Sequence, residues 1–174
     1  MTTTTAFLTP GTVTQVTDDN GIAWSNTLGS VGKDPAGSQS AVTSKELYTI
    51  SGLWQERFAS KTNQLRFTNF SFAVTGTTLL GVEVQFNSLR VNRVQDYIVQ
   101  LVLNGALVGD NIADPITDNL KTYGSPTNLW NSSIALNDVS NATFGVAISL
   151  RSNVLTPHSD LGYLDQVRMR ITYG

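Results

Sequence analysis

The sequence predicts an all-β protein that folds as an antiparallel β-sandwich, and three observations lead to this class. Several short segments alternate apolar and polar residues with a period of two, which is the pattern of a half-buried strand. Gly and Asn residues that favour turns separate these segments. No stretch keeps the 3.6-residue period of a helix, and no internal repeat is visible, which disfavours solenoids and propellers. A jelly-roll-like sandwich fits this pattern best.

Composition is consistent with one domain. We expect residues 21–174 to form a single β-sandwich after a flexible N-terminal arm over residues 1–20, because 174 residues suit one such unit. The chain has no cysteine, so disulfide and thiol chemistry are excluded. Charged residues make up 14% of the chain with a net charge of -2 and no basic face, so we expect no nucleic-acid partner. No signal peptide and no apolar run of about 20 residues is present, so we expect no membrane partner.

The N-terminal arm has two interpretations. Its first ten residues carry no charged side chain but many residues of high β-propensity. It is either a disordered terminus or a strand that pairs with the sheet margin of another molecule, mobile until then. The candidate assembly residues of this arm are Thr2, Thr3, Thr4, Thr5, Phe7 and Leu8.

The middle of the chain predicts loops followed by strands. Residues 29–45 are rich in Gly and Ser and predict a long loop, and residues 48–58 predict two short elements around a turn. Residues 65–74 change the parity of their apolar positions, which predicts a bulge near residues 68–69. Residues 80–86 predict a half-buried strand, with a further change of parity after it. The apolar row of that strand is Leu80, Val82, Val84 and Phe86.

The last part of the chain has the clearest patterns. Asn104-Gly105 between two apolar segments predicts a type I′ hairpin, with residues 106–108 as the return strand. Residues 109–128 predict a long polar connector, and residues 137–141 a capped helical turn. The three predicted core rows are Tyr97, Val99, Leu101 and Leu103; Phe144, Val146, Ile148 and Leu150; and Val167, Met169, Ile171 and Tyr173.

The order and spacing of several pieces, from about residue 20 to the end, resemble a jelly-roll-like β-module of tailed-bacteriophage structural proteins. The usual pattern has a second Gly after Tyr-Gly and another after Leu-Trp, where this chain has Ser125 and Asn131. The resemblance implies a virion protein and supplies no catalytic residues. The matching pieces are Trp24, Phe70-Ser71-Phe72, Gly81-Val82-Glu83-Val84, Asp96, Val99, Leu101, Val102, Asn104-Gly105, Val108-Gly109, Asn111, Ala113, Tyr123-Gly124, Leu129-Trp130, Phe144-Gly145-Val146, Asp165 and Tyr173.

This resemblance leads to two functional hypotheses. The first is a non-enzymatic virion structural protein, most specifically a capsid decoration or cement protein that stabilises the shell by protein–protein contacts. Its expected partners are other virion proteins, above all the major capsid protein, and further copies of itself, with a trimer favoured. It would be made in the host cytoplasm and end in the virion. The alternative is a carbohydrate- or receptor-binding module of the phage tail, fibre or baseplate.

Candidate chemical groups have simpler structural interpretations. His158 is the single histidine and lacks a Gly-x-Ser-x-Gly elbow, so we expect no catalytic residue. Oxygen ligands for Ca²⁺ occur within residues 110–119, but Asx side chains in connectors more often cap turns, so we expect no metal and no cofactor. The Asx residues are Asp110, Asn111, Asp114, Asp118 and Asn119.

The carboxylates and tryptophans also have simpler structural interpretations. Glu46, Glu56 and Glu83 lack the paired spacing of a glycosidase, and solvated strand faces explain them better. The tryptophans offer either a platform that stacks on sugars or large core side chains. We expect Trp24 and Trp130 to be core, and Trp54 is left open between the two.

Overall fold

The computed structural model describes residues 1–18, 21–24, 40–43, 61–91, 94–114, 120–152 and 161–174, and within them nearly all regular structure is β. Two antiparallel sheets pack face to face, so the predicted all-β sandwich is confirmed. The elements are β1 Thr3–Thr4, β2 Thr12–Val16, β3 Gly21–Ile22, β4 Ser40–Thr43, β5 Lys61–Thr62, β6 Gln64–Thr68, β7 Leu79–Val91, β8 Val94–Leu103, β9 Ala106–Val108, β10 Leu120–Gly124, α1 Leu136–Val139, β11 Gly145–Ser152 and β12 Leu161–Tyr173.

The strands pair in a nested order. In the first sheet, β1 and β4 lie along one margin of β12, followed by β7 and β10. In the second sheet, β2 and β3 lie along β6 and β5, followed by β11, β8 and β9. Thus β4 pairs with β12, the β5–β6 segment with β11, β7 with β10, and β8 with β9. This order, in which the two halves of a long, rolled-up hairpin pair with each other across two packed sheets, is that of a jelly roll.

The core lies between the sheets and contains most of the inward rows that the sequence predicted, but Leu80 and Leu103 are only half-buried. At the start of β7 a register shift with β12 leaves Leu79, rather than Leu80, in the core. Val82, Val84 and Phe86 of β7 have no exposed surface, and they oppose the rows of β11 and β8 from the other sheet. Each large apolar side chain buried in this way contributes roughly 1.5–3 kcal/mol. The largest fully buried side chains are Trp130, Phe67, Phe86, Phe144, Leu65, Leu101, Ile148, Leu150, Leu164, Met169, Ile171 and Val82.

Three local predictions need correction. The Phe70-Ser71-Phe72 segment is not a strand: Asn69 and Ser71 adopt positive φ, and both Phe rings turn into the core. The parity change after Phe86 does not break β7, because the extra residue lies on β12 near Gln166, opposite Gln85–Asn87. Tyr97 is displaced from its predicted row by a register shift between β8 and β11.

The N-terminal residues pair with the chain's own sheets, an arrangement that neither of the two interpretations of the arm includes. Thr3 pairs with Tyr173 and Thr4 with Thr172, and Leu8 exchanges two backbone hydrogen bonds with Met169 of 2.8 and 2.9 Å. Thr2 precedes this strand and is exposed, whereas Thr5 is half-buried. The segment then turns at the buried Pro10 and enters the second sheet as β2.

Two strands form where connectors were predicted. β4 lies inside the predicted loop 29–45, and β10 lies inside the predicted connector 109–128. Both are short and lack an apolar row: in β10 only Tyr123 is buried, while Leu120 is 52% exposed. The predicted helical turn is confirmed as α1, and its Asp138 carboxylate accepts the Ala135 N–H at 2.8 Å. The elements predicted over residues 48–58 lie outside the described residues.

Candidate functional site

A buried polar pair joins the two sheets at one end of the sandwich. The register shift between Ser149 and Leu150 turns Asp96 of β8 inward, so that it is 3% exposed. The hydroxyl of Tyr123, on β10 of the other sheet, donates a hydrogen bond to the Asp96 carboxylate. The Tyr123 ring stacks on Phe86 with centroids 5.4 Å apart. A buried carboxylate requires such a partner, so this pair fixes how the sheets meet.

The connector after β9 covers this pair and is held by Asn111. The Asn111 side-chain oxygen accepts the N–H of Val99 at 2.9 Å and that of Ala113 at 3.1 Å. Its amide donates to the Tyr97 carbonyl at 2.8 Å. These bonds use the Asn111 side chain to shape the connector, which supports the interpretation of the Asx residues as turn caps.

A charged pair lies next to the buried one. Lys121 Nζ is 2.9 Å from Asp114 Oδ2 and 4.9 Å from the centroid of the Tyr123 ring. The Lys121 side chain is 13% exposed and the Asp114 side chain 41% exposed, so the ion pair closes the end of the sandwich toward solvent. Lys121 points inward from β10, as Tyr123 does, because residues two apart on a strand share a face.

Trp130 locks the loop after β10 against β7. Its indole N–H donates to the Val82 carbonyl at 3.0 Å, and its own carbonyl accepts the Asp110 N–H at 2.6 Å. A Cβ at Gly124 would contact the Val82 carbonyl, and a Cβ at Gly109 would contact the Trp130 carbonyl. Both glycines also have positive φ, so the close approach and the backbone conformation require them.

Asn131 follows Trp130 at the position where the resembled pattern has glycine. Its φ is +53°, a left-handed conformation that asparagine tolerates better than most residues. Asn131 therefore takes, in place of glycine, a conformation that glycine would also allow. Ser125, at the other departure, accepts the Thr127 N–H at 3.3 Å and stabilises its own turn.

The other residues of the resemblance also serve the fold. The Trp24 indole donates to the Asn63 carbonyl at 2.7 Å, and Trp24 is buried, as predicted. Asn104 and Gly105 have φ of +52° and +78°, which fits the predicted type I′ hairpin. Phe144 is fully buried, and a Cβ at Gly145 would collide with the Phe67 carbonyl.

Asp165 lies beside the bulge of β12 and is 7% exposed. Burial raises the pKa of its carboxyl, and the hydrogen bond that the Gln166 N–H donates to it at 2.7 Å partly offsets this increase. Gln166 adopts a positive φ of +54°, which is the conformational cost of the bulge.

The outer face of the first sheet is more structured than the sequence indicated. Glu83 was expected on a solvated face, but it is 5% exposed and forms a bidentate ion pair with Arg170, with N–O distances of 2.8 and 2.9 Å. The Phe7 ring covers Arg170 and Arg168, with its centroid 4.5 and 5.2 Å from their guanidinium carbons. Arg168 also donates to Gln85 at 2.6 Å. The N-terminal segment therefore shields part of this ion pair, while the Arg170 side chain remains 33% exposed.

The described residues bring together no group of three His, Cys, Asp or Glu side chains that could hold a metal ion. Trp24 and Trp130 are buried, so neither offers a ring to a sugar. The remaining candidates fall outside the described residues: His158, Trp54, Glu46, Glu56, Asp118 and Asn119.

Comparison of the chain with protein-family models, with curated proteins and with solved structures found no match. Among the residues described, none of the helices has the length and apolar character needed to cross a membrane.

Proposed function

We propose that this chain is a non-enzymatic structural protein of a tailed-phage virion, and most specifically a decoration or cement protein of the capsid. It would act by binding other virion proteins, chiefly the major capsid protein, and by associating with further copies of itself. A protein in this role has to bind its neighbours and does not have to catalyse a reaction. Its binding to the assembled shell would stabilise the shell by mass action.

The observation that supports this proposal is how the residues of the phage-module resemblance are used. Tyr123 and Asp96 join the sheets, Trp130 with its two glycines closes the loop beside β7, and Asn111 holds the connector. Each of these side chains is engaged by the domain itself. The shared pattern is therefore one of architecture, as expected for a module whose role is assembly.

Surface composition agrees with a protein that is covered by neighbours. Only 14% of the residues are charged, and Thr, Ser, Asn and Gly are abundant. Interfaces between proteins are depleted in charge at their centres, so a sparsely charged surface suits contact with a shell.

The test is the number and position of copies in purified virions. Quantitative mass spectrometry against the major capsid protein should give hundreds of copies per particle, and immunogold labelling should decorate the shell. Tens of copies or fewer, with label confined to the tail, would contradict the capsid role and favour the receptor-binding alternative. Absence from virions would overturn the proposal. Shells that lack the chain should disassemble at a lower temperature and regain the loss when purified protein is added.

A further inference from the structure

Strands at the margins of a sheet leave peptide groups unpaired, and proteins usually protect them. Two of the described edge strands, β2 and β10, are five residues long, whereas the edge strands β1, β3, β4 and β9 are shorter. Short strands offer few hydrogen bonds to an incoming chain. β10 is further protected by the charge of Lys121, which points inward. A strand added beside β10 would have to accommodate that charge.

β2 has none of these protections. It reads TVTQV, without charge or proline, and its pairing with β6 runs from Thr12 to Val16 without a register shift. The side chains of Thr12 and Thr14 are exposed, and no described strand pairs with its outer side. A regular, uncharged edge strand of this kind can accept a further strand through backbone hydrogen bonds.

The hydrogen bonds of the ladder show which peptide groups of β2 point outward. The Gly11 N–H bonds to the Asn69 carbonyl at 2.9 Å, and the same register continues into β2. Hydrogen-bonded and non-bonded pairs alternate in an antiparallel ladder, so Val13 and Gln15 bond to β6. The N–H and C=O groups of Thr12, Thr14 and Val16 therefore point away from the sheet.

We propose that β2 pairs with β2 of a second copy of this chain, antiparallel, about a twofold axis through Thr14. This pairing gives a dimer in place of the trimer favoured with the resemblance. This register sets Thr14 against Thr14 and Thr12 against Val16, so all three outward residues exchange two hydrogen bonds with their partners. No like charges meet, and a Thr–Thr pair is favourable across strands. The second sheets of the two copies would then form one continuous sheet with an isologous interface.

The register is tested by single cysteines, since the chain has none of its own. In the proposed pair, the Cα atoms of the two residues 14 lie about 5.5 Å apart, within the range of a disulfide. Thr14→Cys should therefore give a covalent dimer under mild oxidation. Thr12→Cys is the matched control, also exposed and outward, but its two copies would lie about 14 Å apart along the strands. Equal crosslinking of both variants, or crosslinking of neither, would overturn the proposal.

The association itself is tested by sedimentation of the full chain over a range of concentrations. The wild type should form a dimer, and Thr14→Val, which keeps the N–H, should do the same. Thr14→Pro removes an outward N–H at a margin position that tolerates proline, so it should melt normally but sediment as a monomer. If Thr14→Pro fails to fold, Thr14→Lys takes its place, because two lysines would face each other. A monomeric or trimeric wild type, or a dimer that Thr14→Lys leaves intact, would refute the pairing.

Discussion

The Asp96–Tyr123 pair is a buried polar contact between the two sheets. Removing the Tyr123 hydroxyl leaves a buried carboxylate with one hydrogen bond fewer, and a bond to such a group contributes roughly 1.5–3 kcal/mol. We expect Tyr123→Phe to lower the melting temperature by about 4–10 °C. Tyr97→Phe on β8 is the control, because the Tyr97 hydroxyl has no hydrogen-bond partner among the described residues. Equal losses in the two variants would contradict this role.

A second prediction concerns the dependence of stability on pH through Asp165. Burial raises the pKa of this carboxyl in the folded state above its ordinary value of 3.8. A carboxyl whose pKa is higher in the folded state than in the unfolded state binds protons more readily when the protein is folded. Its contribution to the free energy of unfolding therefore falls as the pH rises from the unfolded pKa through the folded pKa. Asp165→Asn removes the charge and keeps the shape. We expect the variant to gain stability over the wild type between pH 4 and pH 7, measured by urea unfolding at both values. A gain that is larger at pH 4 would show the opposite sign.

At the scale of elements, the period of two predicts strands where one face is apolar, as in β7, β11 and the end of β12. The period of two does not predict a strand that is held in the sheet by pairing with neighbouring strands rather than by an apolar face. β10 has one buried side chain and is held by its ladder to β7, from Leu120↔Asn87 to Gly124↔Glu83. β4 is likewise held by β12. Pairing of this kind depends on residues far away in the chain, which a local pattern does not contain.

The buried Asp96–Tyr123 pair could not be predicted from the sequence, for a related reason. The alternation of β8 assigns Tyr97 to the core row and Asp96 to the solvent. A register shift opposite Ser149/Leu150 of β11, where β8 carries one extra residue, reverses the two. Only the resemblance marked Asp96, Tyr123 and Asn111 as a set, and it gave no roles for them. A bulge reorients side chains without leaving a period-two signal of its own.

The two terminal strands allow a matched test of central against marginal position. Residues 167–174 lie between β7 and β1, and they bury Val167, Met169, Ile171 and Tyr173. Losing four such side chains costs about 6–12 kcal/mol, comparable with the whole stability of a domain. Deletion of these residues should abolish cooperative unfolding in circular dichroism. A soluble truncated chain that melts near the intact temperature would refute this.

Deletion of residues 1–8 removes the same number of residues from the margin of the same sheet. In this segment no side chain is fully buried, and Leu8 packs only against the border of the core. We therefore expect a folded protein with a lower melting temperature. The ion pair between Glu83 and Arg170 on the outer face should also become more sensitive to salt than in the intact chain, because Phe7 no longer covers part of it.

At the scale of the molecule, the nested order brings the two ends of the chain together. Thr3 pairs with Tyr173, and a Cβ on Gly174 would lie 3.8 Å from the Met1 carbonyl oxygen. The strand pairings of the rolled-up hairpin can therefore all be kept if the ends are joined by a short Gly/Ser linker and the chain is opened at a turn between strands. The exposed turn at Asn104-Gly105 is the natural place to open it, since it lies at the innermost point of the nest.

We expect this circular permutant to fold with a melting temperature close to that of the wild type, because chain ends at an exposed turn disturb few contacts. It should refold more slowly, since the local β8–β9 hairpin becomes the most distant pairing in the sequence and loop closure must precede it. The matched control opens the chain between Val84 and Gln85, inside β7, which is paired on both sides by β12 and β10. That control should not fold. Stopped-flow fluorescence and thermal melts measure both effects, and a 104/105 permutant that fails to fold would show that the nested order depends on the intact hairpin to form.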